Sequence, residues 1–140
     1  MTHIVARLNR VRARIDAAST HSDRRLGSTG LLAVSKTWPA EAVREAAQGG
    51  QRDFGENYVQ EAVDKIEALA DLDLVWHFIG PIQSNKTRLI ANHVQWVHSV
   101  DRLKIAKRRS EQRAPSLPAL TICLLVNVSE EESKRGVSPA

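Results

Sequence analysis

The sequence has few groups that could crosslink the chain and no long apolar run. Its 140 residues include one cysteine, so no disulfide can form within the chain and a reducing compartment suits it. Cys123 lies in the apolar run ALTICLLVNV, where we expect a buried, unreactive thiol. No run approaches the roughly 18 apolar residues of a membrane helix, and no apolar segment resembles a signal peptide. We therefore expect a cytoplasmic protein.

Aromatic residues are also scarce, at 4% of the sequence. The formal net charge of +4 raises the question of nucleic-acid binding, and the densest basic run is KIAKRRSEQR. Lys104, Lys107 and Arg108 stand at helical spacing in that run, and no aromatic residue lies between them to stack on bases. This pattern favours a solvated helix face, and a nucleic-acid-binding module is the less supported alternative.

The N-terminal segment reads as an amphipathic helix over residues 2 to about 18. Ile4, Leu8, Val11 and Ile15 follow one another at spacings of four, three and four, with arginines on the other faces. An arginine-rich helix is also typical of a mitochondrial presequence. Asp16 and the continuity with the following domain favour a helix that packs on the fold.

From Leu31 onwards, short apolar segments alternate with helical patterns. The predicted strands are LLAVSK, RDFGE, LVWHFIG, WVHSV and ALTICLLVN, and the predicted helices follow Pro39 and then cover NYVQEAVDKIEALA, SNKTRLIANH and DRLKIAKRRSEQR. Such alternation predicts βαβ units on a parallel sheet, an α/β fold.

No glycine fingerprint of a dinucleotide-binding fold and no P-loop follows any strand, which favours a barrel of (βα) repeats over an open sheet. A complete eight-stranded barrel takes roughly 200 residues or more. We therefore predict one partial TIM-barrel-type domain of about five strands, with an N-terminal helix over 1–20 and repeats over 31–127. Residues 128–140 are predicted to start the next loop or helix.

Lys36 ends the first predicted strand and has the strand parity of Leu32 and Val34. A lysine is a poor helix N-cap, and a buried ammonium group pairs with a carboxylate or has a lowered pKa. Two interpretations follow. Lys36 is either the salt-bridge partner of Glu56, which ends the second strand, or a reactive amine that forms a Schiff base with a carbonyl compound.

Other polar residues follow the other strands. Asn57 and Ser84 stand where helix N-caps are expected, and Gln60 is in capping-box register with Asn57. His77, within VWHFIGP, is in a position where a satisfied core or edge histidine is commoner than an acid or base. None of the five histidines has a second ligand at metal-binding spacing, so no metal site is predicted.

The strand-end motifs, taken together, resemble those of a known family. AVSKTWP, FGENYVQE, WHFIGPIQSNK, HSVDRL and NVSEEESKRG are similar, in order and spacing, to those of the YggS/PROSC family of pyridoxal-phosphate-binding homeostasis proteins. The resemblance covers essentially the whole chain. It implies a single-domain barrel similar to the N-terminal barrel of alanine racemase, with pyridoxal 5'-phosphate held as a Schiff base.

The resemblance also implies roles for individual residues. Lys36 matches the Schiff-base lysine. The other positions implied near the cofactor are Asn57 and His77 in the pocket, Ser84 and Asn85 in the loop beside it, and Lys134 of the SKxG motif. The implied function is to bind, buffer and deliver the cofactor, with pyridoxal-phosphate-dependent apoenzymes as partners, and the full-length form is implied to be monomeric and non-catalytic.

The resemblance leaves one large difference. Family members usually continue for about three more βα units, which hold the loops that grip the cofactor phosphate, whereas this sequence stops at Ala140. We therefore expect a truncated barrel with weak cofactor binding and an open strand edge prone to self-association. A racemase or other Schiff-base enzyme is the alternative, although Tyr58, the only tyrosine, falls in the first turn of a predicted helix.

Overall fold

The computed structural model describes residues 2–132 and 134–139. Ser133 of the SKxG motif and the terminal residues Met1 and Ala140 lie outside the described residues. No helix within the described part combines the length and the apolar character that crossing a membrane would require.

Helices and strands alternate along the chain. The helices are α1 (His3–His21), α2 (Ala40–Gln48), α3 (Val59–Ala68), α4 (Thr87–His93) and α5 (Leu103–Gln112), with a 3₁₀ turn at Ser84–Lys86 before α4. The strands are β1 (Ala33–Val34), β2 (Asp53–Glu56), β3 (Val75–Phe78), β4 (Trp96–Val100) and β5 (Thr121–Leu124).

The five strands form one parallel sheet in the order β1-β2-β3-β4-β5. Right-handed crossovers between strands in sequential order place every connecting helix on the same face of the sheet. A doubly wound sheet would instead reverse its strand order and cover both faces. The sheet is therefore an arc of a barrel that does not close within the described residues, and the predicted incomplete (βα) barrel is confirmed.

The hydrophobic core lies between this sheet and the helices. Phe54 of β2 and Phe78 of β3 are 1% and 0% exposed, and they pack with Val97 of β4 and with helix residues that include Val43 and Ile90. Burying each large apolar side chain contributes about 1.5–3 kcal/mol to stability.

The other side of the sheet, here called the open face, carries the alternate residues. Strand register places Val34, Gly55, His77 and Trp96 side by side in one row across β1 to β4. Val34, at the β1 end of this row, is half exposed. In a barrel this is the face that lines the interior.

Two predicted helix caps are wrong. Tyr58, in an extended conformation, precedes the first residue of α3, and no side chain caps that helix, so Asn57 and Gln60 do not form a capping box. Ser84 starts the 3₁₀ turn, and α4 begins only at Thr87. The backbone of Asn57 instead packs against Gly80.

The expected buried thiol is also wrong, because Cys123 is only partly buried. It lies on β5, the last strand of the sheet, which has no described strand on its outer side. α1 is longer than predicted and ends at His21, and Arg109 of the basic run is buried rather than solvated.

Candidate functional site

A sharp turn follows β1 and carries Lys36 at the carboxyl edge of the sheet. The Trp38 N–H donates to the Ser35 carbonyl across 3.1 Å, and Thr37 has a φ of 66°. The Thr37 N–H donates to a carboxylate oxygen of Glu61. Lys36 is thus held on a turn fixed from both sides, while its own side chain is exposed.

A buried ion network lies directly beneath that turn. The Lys65 ammonium on α3 donates to the Ser35 carbonyl at 2.7 Å, to Glu56 at 2.8 Å and to Glu61 at 2.7 Å. The Ser35 hydroxyl donates to the other oxygen of Glu56 at 2.7 Å. Lys65 and Glu56 are 6% and 1% exposed, so all three ammonium donors are used inside the protein.

This network separates the two interpretations of Lys36. Glu56 faces the helix side of the sheet and pairs with Lys65, and no described ion pair involves Lys36. The interpretation of Lys36 as the salt-bridge partner of Glu56 is therefore wrong. Sequence reasoning missed Lys65, although Glu61 and Lys65 stand at the i, i+4 spacing of a helical ion pair.

The charge of Glu61 follows from its partners. Burial raises the pKa of this carboxyl, but hydrogen bonds from Lys65 and from the Thr37 backbone outweigh burial and hold the pKa below its ordinary value. Glu61 is thus ionised near neutral pH and links α3 to the Lys36 turn.

His77 lies on the open face within a polar chain that crosses three strands. Its Nε2 is 2.9 Å from an oxygen of Asp53, and its Nδ1 is 3.0 Å from Nε2 of His98. The ring of Trp96 stacks on that of His77 at a centroid distance of 5.3 Å. Burial lowers the pKa of His98, and the neighbouring His77 lowers it further.

The expectation that His77 is a satisfied residue therefore agrees with this geometry, since both ring nitrogens have partners. Asp53 and His98 were missed by sequence reasoning. The available signal was parity, because Asp53 precedes Gly55 by two residues and His98 follows Trp96 by two, which puts all of them on the open face.

Asn57 comes two residues after Gly55 and continues along the same side of β2. Its Oδ1 is buried and has no hydrogen-bond partner among the described residues. Asn57 lines a cleft with Gln83 and Lys86, residues of the segment that follows β3. A buried acceptor without a partner is costly, so it points to a donor that binds here.

Of the remaining predicted residues, Ser84 and Asn85 lie in the 3₁₀ turn beside that cleft. The carbonyl of Ser84 accepts from the Thr87 hydroxyl at 3.1 Å and from Arg108 at 3.4 Å, and the side chain of Asn85 is exposed. Neither residue lines the cleft, so the structure brings the turn near Asn57 without placing these two side chains in it.

Lys134 is exposed on the loop that follows β5. The side chain of Asn127 organises this loop: its amide donates to the carbonyls of Glu131 at 2.8 Å and Lys134 at 3.5 Å, and its oxygen accepts from the Glu131 N–H. Lys134 thus shares the carboxyl edge of the sheet with Lys36 without a described contact between them.

Comparison with known proteins bears on this arrangement. The chain is 63% identical over 139 residues to a pyridoxal phosphate homeostasis protein of Pseudomonas aeruginosa, and 51% identical over 143 residues to that of Escherichia coli (strain K12). These alignments cover 99% and 100% of this chain. Over nearly its whole length, the chain is thus homologous to curated pyridoxal phosphate homeostasis proteins. It spans 60% and 61% of the length of those two homeostasis proteins, and no protein-family profile matches it.

Solved structures agree with this similarity. PipY of Synechococcus elongatus PCC7942, in a structure with pyridoxal phosphate bound, superposes with a TM-score of 0.76 at 40% identity, over 98% of this chain and 59% of PipY. A protein of unknown function from Bifidobacterium adolescentis gives 0.86 at 33% identity, over 97% of this chain and 59% of its own. Nearly the whole fold of this chain is thus shared with parts of these two longer chains.

Proposed function

We propose that this chain binds pyridoxal 5'-phosphate as a Schiff base on Lys36 and serves intracellular homeostasis of that cofactor. The observation that carries the proposal is the state of Lys36. It stands at the carboxyl edge of the sheet with an exposed amine, while Lys65 satisfies the nearest buried carboxylate, Glu56. In parallel α/β folds this edge is where ligands bind.

The surrounding residues fit a cofactor of this class. When bound, the cofactor supplies an aldehyde that condenses with an amine and a ring that stores electrons. Lys36 would provide the amine, and the unpaired Oδ1 of Asn57 would accept a hydrogen bond from the ligand. Both ring nitrogens of His77 already have partners, so His77 would contribute its ring to the pocket wall.

Three further assignments belong to this proposal. Ser84, Asn85 and Lys134 would approach the bound cofactor from their loops at the same edge. Residues 1–140 would form one partial barrel domain, located in the cytoplasm. The recipients of the cofactor would be apoenzymes that depend on pyridoxal phosphate.

The test is to mix the chain with pyridoxal 5'-phosphate, record the absorbance spectrum, reduce with borohydride and map the modified peptide. We expect a Schiff-base absorbance band and a reduced adduct on Lys36, both absent in Lys36→Ala. Lys104→Ala is the matched control, since Lys104 is an exposed lysine on α5. An adduct spread over surface lysines, or a band that survives in Lys36→Ala, would show that Lys36 is not the site.

A further inference from the structure

Arg109 is a buried cation that nothing in the described chain neutralises. The residue is 2% exposed, and its Nε and Nη1 have no hydrogen-bond partner among residues 2–132 and 134–139. Burial lowers the pKa of Arg109 to about 10, and the charge of Asp101 opposes this shift without forming a described ion pair. Arg109 therefore keeps its proton at neutral pH.

The side chain of Arg109 lines a cleft at the carboxyl ends of β3, β4 and β5. The cleft has a volume of about 200 Å³, and its polar walls are Ser99, Asp101, Arg102, Arg109 and Arg135. Liquid water takes about 30 Å³ per molecule, so the cleft has room for a group with several oxygen atoms. Lys36 is not among the lining residues.

The charges in the cleft select an anion. Three guanidinium groups, those of Arg102, Arg109 and Arg135, face the single carboxylate of Asp101. α5 begins at Leu103, directly after Arg102, so the positive end of its dipole lies at the same place. An excess of two positive charges matches a dianion, and a guanidinium fork matches the oxygen geometry of phosphate.

A purely structural role does not account for this arrangement. Removing a guanidinium group from water without pairing it is strongly unfavourable, and a hydrophobic residue of similar volume would normally be more stable there. Ile105, one helical turn before Arg109, shows that this side of α5 accommodates apolar packing. A partner that enters through the cleft would satisfy the donors of Arg109 that have no partner among the described residues.

We propose that this cleft binds a phosphate group, either as inorganic phosphate or as the phosphate of a small phosphomonoester. Arg109 is its buried ligand, and Arg102 and Arg135 close over it from the rim. Lys36 does not line this cleft, whereas Arg102 and Arg135 also line the neighbouring cleft of Asn57. Binding of phosphate here needs no aldehyde and therefore does not depend on the Schiff-base chemistry proposed for Lys36.

The experiment is calorimetric titration and thermal unfolding of the 140-residue chain with inorganic phosphate, compared with chloride at equal ionic strength. We expect saturable phosphate binding and a phosphate-dependent rise in Tm. Arg109→Leu should bind phosphate at least about tenfold more weakly, because the variant loses a charge-assisted hydrogen bond to the ligand. The same variant should unfold at a higher temperature than the parent chain in chloride.

Lys107→Leu is the matched control, because it removes one positive charge from the exposed side of the same helix. It should keep phosphate affinity within about twofold, since exposed charges are screened. If Arg109→Leu fails to fold, phosphate binding by Arg135→Ala tests the same site. Arg135 is exposed, so its loss should weaken phosphate binding without unfolding the core.

A parallel titration with phenyl phosphate distinguishes the two sources of the phosphate group. Tighter binding of the ester supports a phosphomonoester as the natural ligand, and tighter binding of inorganic phosphate supports the free ion. Absence of saturable binding of either compound would overturn the proposal. Unchanged affinity in both Arg109→Leu and Arg135→Ala would also overturn it.

Discussion

At the scale of single residues, two lysines near the end of β1 have opposite environments. Lys65 is buried and all three of its donors are used by Ser35, Glu56 and Glu61. Lys36 is exposed at the sheet edge. The buried ammonium group of Lys65 holds the turn that carries the exposed side chain of Lys36. Lys65 therefore positions Lys36 without contacting its side chain.

Replacing Lys65 should therefore make the folded chain less stable. We expect Lys65→Met to lower the free energy of unfolding by about 3–5 kcal/mol at pH 7, because Glu56 would be left buried without a counterion. Denaturant unfolding of the variant and of the exposed control Lys104→Met measures this, and the control should change by less than about 0.5 kcal/mol.

The stability difference between the parent chain and Lys65→Met should depend on pH. The folded-state pKa of Glu61 lies below its ordinary value of 4.5. Its contribution to stability is therefore fully present above that value and is lost as pH falls through the lowered folded pKa. The stability difference between the parent chain and Lys65→Met should shrink below about pH 4.5. A difference that stays constant with pH would show that the ion network is not its source.

At the scale of elements, the segments after β2 and β3 are fixed by a close backbone approach. A side chain at Gly80 would overlap the carbonyl of Asn57, and its Cβ would lie 3.0 Å from the Asn57 Cα. Tyr58, which follows Asn57, is extended, and α3 starts at Val59. The Asn57 side chain is thereby directed to the cleft rather than to a helix cap.

Gly80→Ala tests this approach. Because the atoms in the way belong to the backbone, we expect a loss of about 1–3 kcal/mol in the free energy of unfolding and weaker binding of pyridoxal phosphate, as Asn57 is displaced. Gly30→Ala is the control, since no atom lies within 4 Å of its added Cβ. It should be neutral or slightly stabilising, by less than about 1 kcal/mol. Equal effects of the two variants in both assays would contradict the prediction.

At the scale of the whole molecule, the sheet has an outer strand that remains largely uncovered. Leu124 on β5 is 61% exposed, and Val137 forms only one isolated parallel bridge beyond it, with Val126. Apolar side chains beside unpaired backbone groups on an edge strand favour pairing with another chain.

We therefore expect the 140-residue chain to self-associate through β5 in a concentration-dependent way. Leu124→Lys should shift sedimentation toward the monomer, because charge on an edge strand opposes pairing, and should change stability by less than about 0.5 kcal/mol. Leu89→Lys, at an exposed leucine of α4, should leave association unchanged. Monomeric behaviour of the parent chain at all concentrations would remove the basis of this prediction.

The succession of strands and helices and the residues at the strand ends could be read from the sequence alone. WVHSV coincides with β4, and Val34, which has the parity predicted for Lys36, lies on the side of the sheet that carries His77. Period-two alternation and turn residues are local signals, so they can be read without knowing the fold.

The partners of these residues could be read only from the three-dimensional fold. The fold pairs Glu56 with Lys65 instead of Lys36. It also packs Asn57, the predicted N-cap of α3, against Gly80. Arg109 belongs to a run that the sequence predicts to be a solvated helix face, but in the fold it is buried on the core side of α5. Ion pairing and burial depend on contacts between residues distant in sequence, and a local pattern fixes only the side of an element on which a residue lies.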